Sequence, residues 1–126
     1  MIVAIGIDLV EISRIEEVLA RRGERFLSRV FTDSEIGYCE SRASSAASYA
    51  ARFAAKEAAM KALGTGWSDG IAWRDIEVVS ASSGAPALVL RGRALERIRE
   101  IGVTRTHVSL GHSSAMAIAQ VVLEAG

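Results

Sequence analysis

The stretch AASYAARFAAKEAAMKAL, residues 46–63, decides how the rest of the chain is read. Alanine is the strongest helix former. Ser44 and Ser45 precede the stretch, and Gly64 and Gly66 follow it as stop signals. About 18 residues rising 1.5 Å each make a rod of roughly 27 Å, long enough to cross a small domain. Its side chains are small enough to let it lie close against a sheet.

Working outward toward the N-terminus, residues 2–10 (IVAIGIDLV) are apolar and rich in β-branched side chains, which predicts a buried strand. Ser13 and Glu16 have the S-x-x-E spacing of a capping box. They open a helix with Ile15, Val18 and Leu19 on its apolar side, ending near Gly23. Thr32 and Glu35 repeat the spacing and predict a short helix through Tyr38. Toward the C-terminus, residues 75–79 alternate, Ser83-Gly-Ala-Pro86 turns, and residues 87–90 return as a hairpin. Leu95, Ile98 and Ile101 mark a helix that stops at Gly102. Residues 107–110 and 115–123 read as two strands joined by 111–114. The order is strand, helices, hairpin, helix, hairpin, which predicts an α+β fold rather than a doubly wound sheet.

At 126 residues the chain suits a single domain spanning 1–126. Half the residues are hydrophobic and 24% are charged, with one proline, so the chain has the composition of a folded protein. Fifteen basic residues balance fifteen acidic ones, which argues against a general nucleic-acid binder. The single Cys39 excludes an intramolecular disulfide and any multi-cysteine metal site, and it is compatible with a reducing compartment. No apolar run reaches the roughly 18 residues of a membrane span. Met1–Val10 carry no basic segment and read as a strand of the mature protein, not a signal peptide. The expectation is a soluble cytosolic protein.

Two groups of residues stand out chemically. Asp8 interrupts an apolar strand, where a bare carboxylate is costly to bury. It either caps the turn at the strand end or binds a metal. On the long helix, Phe53, Glu57 and Lys61 share one stripe, with Arg52 and Lys56 on the next. One reading is a solvated face with a Glu57–Lys61 pair worth only a few tenths of a kcal/mol. The other is a polyanion site in which the cations hold phosphate oxygens and the acid holds Mg²⁺. Mg²⁺ usually takes one or two protein carboxylates and completes its shell with water and phosphate, a count that Asp8 plus Glu57 would meet.

Other patterns carry less. Gly64-Thr-Gly66 follows a helix and lacks the third glycine of a dinucleotide loop, and no P-loop is present. Gly111-His-Ser113-Ser-Ala115 resembles a nucleophile elbow, but neither histidine nor aspartate follows Ser113. His107 and His112 are separated by an odd number, which places them on opposite strand faces and argues against a shared metal. His112 reads as an ordinary polar contact, Cys39 as a partly buried thiol, and Trp67 and Trp73 as packing residues. The first helix carries Arg14, Arg21, Arg22, Arg25 and Arg29 against Glu16, Glu17 and Glu24. Mixed charge is normally a solvated face, yet an arginine excess suits an acidic partner.

Three blocks taken together carry a resemblance: Gly6-Ile-Asp8-Leu-Val-Glu11-Ile-Ser-Arg14-Ile15, Arg52-Phe-Ala-Ala-Lys-Glu57-Ala-Ala-Met-Lys61-Ala-Leu-Gly64-Thr-Gly66, and His107-Val-Ser-Leu. In order and spacing they resemble the small bacterial 4′-phosphopantetheinyl transferases of the holo-[acyl-carrier-protein] synthase type, over nearly the whole chain. The middle block is the specific one. The resemblance implies Mg²⁺-dependent transfer of the phosphopantetheine arm of coenzyme A to a serine of apo-acyl carrier protein. Adenosine 3′,5′-bisphosphate would be released, in support of fatty acid biosynthesis.

Carried over residue by residue, Asp8 and Glu57 become metal ligands, and Lys61 contacts the pyrophosphate. Arg52, Phe53, Gly64, Ser83, Gly84, Pro86 and His107 line the coenzyme site. Arg14, Arg21 and Arg25 fall on the helix that meets the carrier protein, and the family implies a cytoplasmic homotrimer. Either Glu57 or a metal-bound water would accept the serine proton. The turn Ser83-Gly-Ala-Pro86 departs from the family's Asn-Gly-Lys-Pro, and Gly111 stands where a serine or threonine precedes His112. Two rival functions are another Mg²⁺-dependent transferase of nucleotide diphosphate compounds and a non-catalytic carrier-binding module.

Overall fold

The computed structural model describes residues 1–126. In chain order it has strand β1 (Ile2–Glu11), helices α1 (Ile12–Val30), α2 (Asp33–Glu40) and α3 (Ser45–Leu63), and two 3₁₀ turns (Trp67–Asp69, Trp73–Asp75). These are followed by β2 (Ile76–Ser80), β3 (Pro86–Leu90), α4 (Gly92–Glu100), β4 (Arg105–His112) and β5 (Met116–Glu124). The strands form an antiparallel sheet β1-β5-β4 and a separate hairpin β2-β3. The α+β expectation holds.

The alanine helix is the centre of the molecule. Ala54, Ala55, Ala58 and Ala59 are buried in a cluster with Val121 and Leu123 of β5 and Ile76 and Val78 of β2. A second cluster joins Ile12, Ile15, Phe31, Tyr49 and Ala50. Gly6 shows how close the helix comes. A Cβ there would lie 1.8 Å from the Ala58 carbonyl oxygen, so only glycine admits α3 at that distance. Asp8 is two residues on and shares the Gly6 face, so it too points toward α3.

Several expectations need correction. The β1 segment is not a buried strand. Its even-numbered side chains face α3, while Ile5, Ile7 and Leu9 are 55%, 51% and 58% exposed, and Ile118 of β5 adds 41%. The strand is apolar on both faces, and this chain covers one of them. Helix α1 does not end near Gly23 but runs to Val30 through a kink at Arg22, whose φ/ψ are −142° and 36°. Phe26 beyond the kink packs on Phe31 and Phe53 at 5.7 and 5.9 Å, and buried Val30 completes the anchor. This burial outweighs the helix-breaking tendency of one glycine. The capping box at Ser13 does not form, because the helix starts one residue after Glu11 with no side-chain cap. The box at Thr32 and Glu35 does form. Asp75 sits in a 3₁₀ turn rather than in a strand, with the hairpin beginning at Ile76.

Lys56 also departs from its expected place. It does not sit on a face available to phosphate. Its ammonium is fully buried 2.9 Å from Glu35, itself fully buried, and donates to the carbonyl oxygens of Trp73 and Ile76. Glu35 accepts in turn from the backbone N–H of Thr32 and Val78. The network ties α2, α3 and the start of β2 together, with every charge paired as burial demands.

Candidate active site

Asp8 and Glu57 line one groove of about 360 Å³, with Arg14, Phe53 and Val18 among its walls. β1 supplies Asp8, α3 supplies Phe53 and Glu57 one turn apart, and α1 closes the side. The convergence follows from the Gly6–Ala58 approach, which sets the Asp8 face of β1 against the Glu57 and Lys61 turns of α3. Lys61 spans the two elements. Its ammonium donates to Asp8 Oδ1 at 2.9 Å and to the Ile7 carbonyl at 2.9 Å. The Lys61 side chain is 56% exposed, so the pair is open to solvent. The expected Glu57–Lys61 pairing is thus replaced by a Lys61–Asp8 pairing across the groove.

Glu57 is half-buried and has no salt bridge of its own. Burial pushes its carboxyl above the ordinary range, and the Asp8 charge pushes it further, against weaker pulls from Lys61 and the Trp67 indole. A groove lined by three carboxylates, Asp8, Glu11 and Glu57, against Arg14 and the nearby Lys61 ammonium is short of positive charge. Glu11 lines the groove, but no third histidine, cysteine or carboxylate gathers with Asp8 and Glu57 into a three-ligand cluster.

The groove adjoins a second one. Val18 and Phe26 line both, and beyond them Arg21, Arg22, Arg25 and Arg29 surround a space of about 610 Å³. Arg14 belongs to the carboxylate groove, and Arg21 and Arg25 to the arginine groove. The two form one continuous surface along α1.

The remaining expected coenzyme contacts lie elsewhere. Arg52 is 5% exposed, stacks its guanidinium 3.9 Å over the Tyr38 ring, and leaves its Nε without a hydrogen-bond partner. It lines a separate pocket of about 340 Å³ with Arg42, Ser44, Ser48, Gly111 and His112. Arg52 and Glu57 are five positions apart, a turn of about 140° around α3. The Asp8 groove and the Arg52 pocket share no lining residue. Ser83, Gly84 and Pro86 form the exposed tip of the β2-β3 hairpin, where Gly84 takes φ +90°. His107 is on the exposed face of the sheet, its Nε2 2.9 Å from Glu124. That hydrogen bond, with the nearby Arg105, holds the Glu124 carboxyl below its ordinary range. Gly64 caps α3 in the left-handed region at φ +77°. Sequence reasoning missed the second pocket. His112 was legible only as an isolated polar residue and Arg42 and Ser48 carried no local signal, because their meeting depends on how α2, α3 and β4 pack.

Comparison with known proteins bears on this arrangement. Residues 4–119 match the family model described as the 4′-phosphopantetheinyl transferase superfamily. Over 124 residues the chain is 47% identical to a holo-[acyl-carrier-protein] synthase of Koribacter versatilis, covering 98% of this chain and 99% of the relative. It is 54% identical over 129 residues to one of Methylobacterium radiotolerans, covering 99% and 95%. Among solved structures, the fold is similar to the Helicobacter pylori holo-[acyl-carrier-protein] synthase in complex with coenzyme A. There the TM-score is 0.84 at 34% identity, covering 95% and 99%. The Neisseria meningitidis enzyme gives a TM-score of 0.88 at 33% identity, covering 98% and 99%.

Proposed function

The chain belongs to the 4′-phosphopantetheinyl transferase superfamily, and from that membership we propose that it moves the 4′-phosphopantetheine arm of coenzyme A onto a serine of apo-acyl carrier protein. One observation carries the reading: the open groove in which Asp8, Glu57 and Lys61 converge, continuous with the arginine surface of α1.

The donor set fits Mg²⁺. The hard carboxylates of Asp8 and Glu57 face one groove with no third ligand clustered on them, and the remaining positions are left for water and phosphate oxygens. Asp8 and Glu57 would hold the ion, which when bound neutralises charge on the pyrophosphate and polarises it toward attack. Lys61 leaves Asp8 for the pyrophosphate, a low-cost exchange because the pair is solvent-exposed. The serine oxygen bonds to the phosphorus that carries the pantetheine arm and gives up its proton to Glu57 or to a water. The bond from that phosphorus to the bridging oxygen breaks, releasing adenosine 3′,5′-bisphosphate. Catalysis here is positioning and charge neutralisation.

The arginine groove faces the partner. Arg14, Arg21 and Arg25 steer an acidic carrier protein along α1 and bring its serine to the adjoining carboxylates. The Arg52 pocket supplies a second anion cradle: a buried guanidinium with a free Nε, beside Arg42 and His112. It is remote from Asp8 within one chain, so the complete coenzyme site takes its second half from a neighbouring copy. The exposed apolar face of β1 and β5 supports that assembly as a homotrimer. Phe53, Gly64 and the Ser83–Pro86 tip are assigned to the same coenzyme site, and His107 to its edge. A cytoplasmic location and a role in fatty acid biosynthesis complete the proposal.

Intact mass spectrometry tests it. Apo-acyl carrier protein incubated with coenzyme A, Mg²⁺ and this protein is expected to gain one phosphopantetheine, and to gain none when the metal is chelated. An unmodified carrier at full Mg²⁺ would favour the rival transferase. Sedimentation is expected to give three chains per particle, and a fully active 13.4 kDa monomer would remove the shared site.

A further inference from the structure

Three aromatic rings form one stack beside Glu57. Phe53 lies 5.1 Å from Trp73 at 21°, and Trp73 lies 3.7 Å from Trp67 at 30°. Phe53 precedes Glu57 by one turn on α3, so the stack borders the stripe that carries the carboxylate. Trp67 is delivered by a short turn framed by Gly64, Gly66 and Gly70, all at positive φ. This turn folds the chain back over the end of α3.

The Trp67 Nε1 is buried and has no hydrogen-bond partner. Buried indole N–H groups normally find an acceptor. The half-buried Glu57 carboxylate is the matching orphan, since Lys61 pairs with Asp8 instead. Trp67 is also among the groups that pull the Glu57 carboxyl down against burial and the Asp8 charge.

We infer that Trp67 is a positioning residue for Glu57: its Nε1–H donates to one carboxylate oxygen, and the aromatic stack fixes that donor. The other oxygen then stays turned toward Asp8. The bond forms without displacing Lys61, and it holds Glu57 in one rotamer while Asp8 changes partner. This role rests on the functional reading of Glu57, but the bond itself does not.

Two measurements on the full-length protein test the inference. In ¹H–¹⁵N spectra, the indole signals are assigned by comparing Trp67→Phe with Trp73→Phe. The Trp67 N–H is expected downfield and slow to exchange in the wild type. It is expected to move upfield and exchange faster in Glu57→Ala, with the Trp73 signal little changed. A Trp67 signal indifferent to Glu57→Ala overturns the bond. In transfer assays, Trp67→Phe keeps a stacking ring and loses the donor. Its kcat is expected to fall about tenfold, or about 1.4 kcal/mol of barrier, with more Mg²⁺ needed for half-maximal rate. KM for the carrier is expected to be unchanged. Wild-type kcat and Mg²⁺ dependence in a folded Trp67→Phe overturns the positioning role. A wild type that performs no transfer refutes the proposed function, and the indole signal still decides the bond.

Discussion

Two lysines of α3 each meet a carboxylate at 2.9 Å, Lys56 with Glu35 and Lys61 with Asp8. The distances are equal and the surroundings are not. Both members of the first pair are fully buried, and backbone groups satisfy their remaining hydrogen-bonding capacity. In the second pair Lys61 is more than half exposed, and its only other partner is the Ile7 carbonyl. A buried pair has no replacement partner, so it fixes the positions of α2, α3 and β2. An exposed pair trades easily for water, phosphate or a cation. Burial therefore separates a scaffold lysine from one that is open to exchange on the same helix.

Breaking each pair from one side should sharpen the contrast. Lys56→Met leaves Glu35 charged without its counter-ion and is expected to cost about 3–5 kcal/mol of folding stability, read by chemical denaturation. A loss under about 1 kcal/mol would mean that water reaches the pair. Asp8→Asn and Glu57→Gln are expected to leave the fold intact and cut transfer by at least about a hundredfold, near 2.7 kcal/mol of barrier. Near-normal rates in both variants at ordinary Mg²⁺ would end the two-ligand reading. Lys61→Met belongs between these cases. It is expected to change stability by less than about 1 kcal/mol while slowing transfer, and an equal loss of both would make Lys61 a second scaffold residue.

Smaller effects belong to the surface. The triple variant Arg14→Glu, Arg21→Glu, Arg25→Glu is expected to raise KM for the carrier and flatten its salt dependence. Each charge contributes about 0.2–1 kcal/mol, and coenzyme A affinity should change little. Normal carrier binding would move the docking surface off α1. Glu77, beside the buried pair, gives the mildest change. Burial raises its pKa, but hydrogen bonds from Thr32 and Arg91 and the Arg91 charge more than offset this, leaving it below the ordinary 4.5. Its contribution is therefore present above pH 4.5 and is lost as pH falls through the lower folded value. Acid unfolding curves should be shallower for Glu77→Gln, and identical curves would refute the assignment.

The same contrast explains what could be read from the sequence. Helix α3 was legible because alanine content and terminal glycines are local signals. So was the Thr32–Glu35 cap, which needs only neighbouring residues. Asp8 and Glu57 stood out because a carboxylate in an apolar strand and one on an alanine helix are both locally anomalous. Lys56 looked equivalent to Lys61, because its partner is 21 positions away and only packing selects it. Gly23 looked like a stop, because the Phe26 contacts that carry α1 onward are tertiary. The exposed face of β1 looked buried, since a strand apolar on both sides carries no mark of which face its own chain leaves uncovered.

The most direct test of the open pair is calorimetric titration of Mg²⁺, in the presence of coenzyme A, into wild-type protein and Asp8→Asn. One Mg²⁺ per chain is expected in the wild type. Affinity should fall at least about tenfold in Asp8→Asn, with thermal stability preserved. Equal Mg²⁺ binding by the two proteins would contradict the claim that Asp8 exchanges Lys61 for the cation.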